Sequence, residues 1–119
     1  MSKQVYWILE LEIVEGKSDV LRDLATEMVS ATRENEPGAL HYDWSLSEDG
    51  RQCHIFEHYA DSAAVMTHLA TFQQKYAARF LEILKPTRFV IYGSPDPAVR
   101  EALSPFQPDY MASVDGFSR

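Results

Sequence analysis

Two ionisable side chains, Glu57 and His68, fall among aromatic residues in a pattern suited to proton transfer. Glu57 lies in a strand-like segment and His68 in the helix-like segment that follows it. Tyr42, Trp44 and Tyr59 alternate onto the same strand face as Glu57, while Phe72 and Tyr76 share the apolar stripe of the helix that carries His68. These five aromatic residues would surround a space holding one carboxyl and one imidazole. A carboxylate against an apolar wall is harder to ionise, and a buried imidazole is harder to charge, unless the two pair. An imidazole held in this way can take or give a proton near neutral pH. A structural reading stays open beside the chemical one. Tyr and Trp are usual in small α+β cores, and a Glu57 bonded to Tyr42 or to a helix end would only tie the core together.

The elements that must position these groups are legible from periodicity. Val5, Trp7, Leu9, Leu11 and Ile13 alternate with Tyr6, Ile8, Glu10 and Glu12, which predicts a strand over 5–13. A helix is expected from Ser18 to Glu34, with Ser18 as N-cap, Asp19 in the first turn, and Val20, Leu21, Leu24, Met28 and Ala31 at helical spacing. Glu36-Pro37-Gly38 stops it. Two strands, 40–46 and 52–59, flank Glu48-Asp49-Gly50-Arg51, and Asp-Gly is a favoured hairpin centre. A two-residue loop at Asp49-Gly50 sets Trp44 opposite Ile55, Tyr42 opposite Glu57 and Leu46 opposite Cys53. On the other face it sets His41 opposite His58, Asp43 opposite Phe56 and Ser45 opposite His54. Asp61 should cap a second helix running toward Leu84, with Val65, Leu69, Phe72, Tyr76, Phe80 and Ile83 as its stripe and an interruption near Ala70-Thr71. Pro86 would end it. Thr87 to Tyr92 reads as a last strand, Ala98 to Leu103 as a short helix, and the remainder as an extended tail.

The order β-α-β-β-α-β is that of a ferredoxin-like α+β domain, one antiparallel sheet with both helices on one face. The domain is expected over 1–93, and 94–119 is expected as an extension that packs on the domain, over the pocket mouth or on a partner subunit. The second sheet face would carry Glu10, Glu12, His41, Asp43, His54, Phe56, His58, Arg88, Val90 and Tyr92. Large aromatic groups there predict an isologous homodimer with stacked sheets. His41 and His58, cross-strand neighbours about 5 Å apart, could form a two-histidine metal site with Asp43. No dense ligand motif accompanies them, and the expectation is no metal. His54 and His58 stand about 13 Å apart along one strand and cannot share an ion.

Composition removes other classes. A formal net charge of −7 opposes binding to nucleic acid or to anionic membranes, since both need a basic face. No apolar run is long enough to span a bilayer. The start, Met-Ser-Lys-Gln, lacks the apolar core of a signal peptide. The lone Cys53 allows no internal disulfide and suits a reduced, cytoplasmic setting. There is no glycine-rich phosphate loop, no G-x-S-x-G elbow and no C-x-x-C pair, so no nucleotide, flavin or pyridoxal cofactor is expected.

Three segments in order resemble the antibiotic biosynthesis monooxygenase family: Glu36-Pro37-Gly38-Ala39-Leu40-His41-Tyr42-Asp43, then Phe56-Glu57-His58-Tyr59-Ala60-Asp61, then His68-Leu69-Ala70-Thr71. The resemblance runs from about Val5 to Gly93. It implies a dimeric α/β barrel and a cofactor-independent oxygenation, by dioxygen, of an aromatic substrate such as a quinol or polyketide phenol. The implied roles are His68 or Glu57 as the base, Tyr59 and Tyr42 orienting the phenol, and Trp44 and Phe72 stacking on it. A non-catalytic module that binds an apolar metabolite or serves in stress response is the alternative. The haem-degrading enzymes of the same fold use an Asn, a Trp and a His. The matching positions here are Leu9, Tyr59 and His68, so haem degradation is not implied.

Overall fold

The computed structural model describes residues 3–119; Met1 and Ser2, and with them the start of the expected leaderless N-terminus, lie outside the described residues. Strict alternation makes β1 (Val5–Ile13): Val5, Trp7, Leu9, Leu11 and Ile13 are all buried. Helix α1 (Ser18–Asn35) buries Leu21, Leu24, Met28 and Thr32 against the sheet. Two details differ from the expectation. The cap position is Lys17, with no side-chain cap bond, so Ser18 is already helical. Val20 is 50% exposed, one position round the helix from the stripe.

Strands β2 (Ala39–Leu46) and β3 (Gln52–Tyr59) pair in the register expected from sequence, including Tyr42 with Glu57 and Trp44 with Ile55. The loop itself is wider than expected. Ser47 N–H donates to the Gln52 carbonyl at 2.9 Å, which leaves Glu48–Arg51 as a four-residue loop. Within it Gly50 N–H donates to the Ser47 carbonyl, and Gly50 takes φ +71°, where glycine carries no steric cost. The Asp49 carboxylate accepts from Ser47 Oγ and Arg51 N–H. A symmetric four-residue loop and a symmetric two-residue loop bring the same residues together, so the register is common to both.

After the Asp61 cap, whose carboxylate accepts from Ala64 N–H at 2.8 Å, α2 (Ser62–Thr71) runs into a π turn at Phe72–Tyr76 and continues as α3 (Ala77–Ile83). The interruption expected near Thr71 is thus one inserted residue in the helical ladder. The helix ends at Ile83, before Pro86, and β4 (Leu84–Gly93) starts earlier than expected. Pro86 is tolerated inside β4 because it sits at a register shift opposite Leu11, where no other strand flanks β4. The sheet order is β2-β3-β1-β4-β5, with a short parallel β5 (Asp109–Met111) added beside β4. The first four strands are antiparallel, and both helical segments share one hydrophobic core on one sheet face. The domain is therefore the α+β, ferredoxin-like arrangement.

The tail is more ordered than an extended segment. Helix α4 (Pro97–Leu103) is capped by Asp96, which accepts from Val99 N–H at 2.9 Å, and buries Val99 and Leu103. Burial of two such side chains contributes about 1.5–3 kcal/mol each. A single 3₁₀ turn, Ser104–Phe106, then leads to Gln107 at φ +51°. Arg100 stacks on Tyr110 of β5 at 4.0 Å from the ring centre.

One contact sets the position of α2. A Cβ built on Gly38 would stand 2.6 Å from Ala64 Cβ, so the β2 entry and the start of α2 touch through hydrogen alone. Gly38→Ala should push α2 outward and destabilise the protein by about 1–3 kcal/mol, as overpacking does. Urea unfolding reads this directly, and an unchanged midpoint would mean that the contact is slack.

Candidate functional site

His68 lies four residues beyond Ala64 on α2, on the same helix face. The contact that seats Ala64 on Gly38 therefore also brings His68 down beside the 36–39 turn. There Glu36, at the C-terminal cap of α1, directs its carboxylate inward. Ala39 N–H donates to the Glu36 carbonyl and closes the turn. His68 Nδ1 lies 2.9 Å from Glu36 Oε1, and its Nε2 lies 3.3 Å from Glu57 Oε1. Tyr59 donates its hydroxyl to Glu57 Oε1 in a very short hydrogen bond. The result is a chain, Glu36–His68–Glu57–Tyr59, in which each group is less than a tenth exposed.

Alternation places the rest. Glu57 is flanked across β3 by Tyr42 on β2 and Trp7 on β1, and all three point to the helix side. The Tyr42 and Tyr59 rings both lie against the His68 imidazole, with centres 5.3 and 5.4 Å away. Burial pushes both phenols well above their ordinary pKa, and the Glu57 charge adds to this, so both stay neutral. For His68, burial is the largest single influence and pushes the pKa down. The hydrogen bond to Glu36 and the charges of Glu57 and Glu36 together outweigh it, and the net direction is up. With both ring nitrogens facing carboxylates, the doubly protonated imidazolium is the form that satisfies both neighbours.

Glu57, His68 and Tyr42 form the polar end of an otherwise apolar cavity. Sheet residues Trp7, Leu9, Ile55 and Phe89 make its floor. Met28 of α1 and Leu69, Phe72 and Phe80 of the second helical segment make its sides. Leu103 and Phe106 of the C-terminal extension close it. Its free volume is about 50 Å³, against roughly 150 Å³ for an apolar cavity that holds a benzene ring. A ring therefore enters only if a wall moves. Phe106 is the wall residue held least, being 38% exposed on a single turn and touching one other ring, Phe89, edge-on. Phe106→Ala is expected to tighten phenol binding by about tenfold by removing that obstruction. Calorimetric titration checks this, and an unchanged or weaker affinity would place the entrance elsewhere.

Of the residues singled out from sequence, the structure brings Glu57, His68, Tyr42 and Phe72 to the cavity. Tyr59 stands behind the lining, fully buried, with its hydroxyl on Glu57 and its ring against His68 and Trp7. Trp44 and Tyr76 do not line it. Trp44 lies on the edge strand with its ring against Phe80, and Tyr76 closes the π turn, beneath the Arg79 guanidinium. Sequence alone assigns no site role to Glu36, which stands there as part of the helix stop and of the family-like segment, or to Trp7 as a wall. A carboxylate fixed by a Pro-Gly turn at a helix end is the signal that could have found Glu36. Among the described residues, no group of three or more His, Cys, Asp or Glu is arranged to hold a metal ion. No helix among them is long and apolar enough to cross a membrane.

Comparison with known proteins gives a match to the antibiotic biosynthesis monooxygenase family over residues 5–82. The chain belongs to this family. Among solved structures, the antibiotic biosynthesis monooxygenase fold seen here resembles that of MupZ from Pseudomonas fluorescens, at 22% identity and TM-score 0.87, covering 99% of this chain and 96% of that one. Rv0793 from Mycobacterium tuberculosis is 28% identical, with TM-score 0.66, over 80% of this chain and 98% of its own. A protein from Nitrosomonas europaea described as a putative antibiotic biosynthesis monooxygenase is 21% identical, with TM-score 0.66, over 82% and 95%. The likeness to MupZ thus includes the C-terminal extension, which the shorter matches cannot include in full. No curated protein is similar enough to count as a match.

Proposed function

We propose that this family member is a cofactor-independent monooxygenase acting on a phenol or quinol, and that Glu57 is the base. The observation that carries the reading is a paired carboxylate and imidazole buried at the polar end of an apolar cavity. Both His68 nitrogens are engaged by carboxylates, and Glu57 Oε1 is engaged by His68 and Tyr59. Glu57 lines the cavity, and Oε2, the oxygen that neither His68 nor Tyr59 engages, is the one assigned to a substrate hydroxyl. His68 and Glu36 act through Glu57 as positioning residues, and Tyr59 fixes the carboxylate plane. Tyr42 and Phe72 offer ring contacts to the substrate.

On this reading Glu57 takes the phenol proton, and the phenolate, held away from water, is electron-rich enough to reduce dioxygen. The balance closes without another reductant. A phenol with a free para position loses four electrons in becoming the para-quinone, one oxygen atom of dioxygen enters the ring and the other leaves as water. The protein supplies a base, a dry slot and orientation. Acting as a homodimer, it would cover the outer sheet face, where Tyr6 stacks on Tyr92 at 5.3 Å and the partly exposed Ile8 and Phe56 present apolar surface.

An oxygen electrode tests the activity with a panel of phenols and hydroquinones, comparing the parent with His68→Ala and Glu57→Gln. Uptake above the rate without protein, lost in both variants, is expected. Equal uptake in parent and variants would remove the assigned roles. A protein that binds phenols without consuming oxygen would favour the non-catalytic binding module.

A further inference from the structure

We infer that the cavity admits ring compounds only in forms without negative charge, and that any anion it holds during turnover is one made inside it. This deepens the proposed function and rests on its placing of Glu57 against the substrate.

The inference follows from the charges the fold collects. Among the described residues that line the cavity, only Tyr42, Glu57 and His68 are ionisable, and none is Lys or Arg. Behind them stands a second buried carboxylate, Glu36, paired to the same imidazole. Two carboxylates share one imidazolium, so the polar end carries one net negative charge when both are ionised. Arg33 and His41 belong to a separate, outer groove that shares only Tyr42 with the cavity. An anion arriving from water would therefore lose its hydration, meet no cation left over to pair with and sit beside a like charge where screening is weak.

A phenol that enters neutral meets none of these costs. When Glu57 takes its proton, the negative charge moves from the carboxylate to the ring oxygen, and the total inside the site does not change. The same charge count that refuses a carboxylate or phosphate ester thus permits a phenolate formed in place. The substrate class narrows to phenols and quinols whose ring end bears no acidic group that is ionised at neutral pH.

Benzamide and benzoate test this, because they share a shape and differ in charge. Binding to the full-length protein is measured by calorimetry at pH 7, with shifts of the His68 ring resonances reporting that the ligand sits in the cavity and phenol as a third probe. Benzamide and phenol are expected to bind at least about 30-fold more tightly than benzoate. In Glu57→Gln, which removes the net charge, that ratio should fall at least about tenfold. Benzoate binding as well as benzamide, or a ratio unchanged in Glu57→Gln, would overturn the inference. So would failure of both neutral probes to bind at millimolar concentration. Oxygen uptake is read separately: charge-selective binding without uptake leaves this inference standing and removes the monooxygenase reading, whereas uptake with benzoate bound as tightly as benzamide does the reverse.

Discussion

Glu57→Gln is expected to lower oxygen uptake with phenols by about 10²–10⁴-fold, the usual contribution of a positioned general base. Gln keeps the size of the side chain and can still receive the Tyr59 hydroxyl, but it cannot accept the substrate proton. Loss of the carboxylate also leaves His68 with one anionic partner, Glu36, so the ion pair that seats the imidazole survives. Phenol affinity should change by less than about tenfold, since one hydrogen bond is exchanged for another. A fall in the catalytic constant without a matching fall in affinity is the signature of a base. If uptake and affinity fell together by the same factor, Glu57 would be a binding group and the base would lie elsewhere.

His68→Gln is the second large effect, and it falls on stability. Removing the imidazolium leaves Glu36 and Glu57 buried without a cation, a change that costs about 3–5 kcal/mol in comparable buried pairs. The pH dependence has a definite sign. The His68 pKa is raised in the fold, so its contribution is complete below the ordinary value of about 6.5 and drains away as pH rises through the higher folded value. The parent should therefore lose stability on going from mildly acidic to alkaline solution, relative to His68→Gln. Urea unfolding of both proteins across this range measures the difference. A difference that stayed constant with pH would mean that folding leaves the His68 pKa unshifted, and one that grew toward alkaline solution would mean that the fold holds it neutral.

Much of this fold could be read from residue order, and the reasons are local. The period of two in Val5–Ile13 and the paired patterns around Asp49-Gly50 are set by burial of one face, and a single-residue slip would expose all of it. The Tyr42–Glu57 pairing was therefore legible even though the loop proved wider. His68 could be placed on the correct helix face because Asp61 fixes where α2 starts. What was hidden depends on depth and on distant chain. Trp44 points to the expected face but lies on an edge strand, outside the cavity. Tyr76 closes a π turn that inserts one residue into the helical spacing. Glu36 meets His68 only because Gly38 lets α2 approach closely, which no periodicity reports. Leu103 ends α4 and Phe106 ends the single turn after it, and which of their side chains reaches the cavity depends on how α4 and β5 dock rather than on any repeating pattern.

The outer face of the sheet carries a separate expectation. Tyr6, Ile8, Phe56 and Tyr92, each partly exposed, should be covered by a second copy, so light scattering at micromolar concentration should give the mass of a dimer. A monomer would mean that the face is used otherwise, and it would leave the cavity, which is built within one chain, unaffected.

Labelled dioxygen tests the central claim most directly. The parent protein, incubated with a para-unsubstituted phenol under ¹⁸O₂, should give a quinone that carries one ¹⁸O, formed at a rate that collapses in Glu57→Gln, with the second ¹⁸O recovered in water. A product with no ¹⁸O from dioxygen, or labelled product formed equally fast without the protein, would contradict the account.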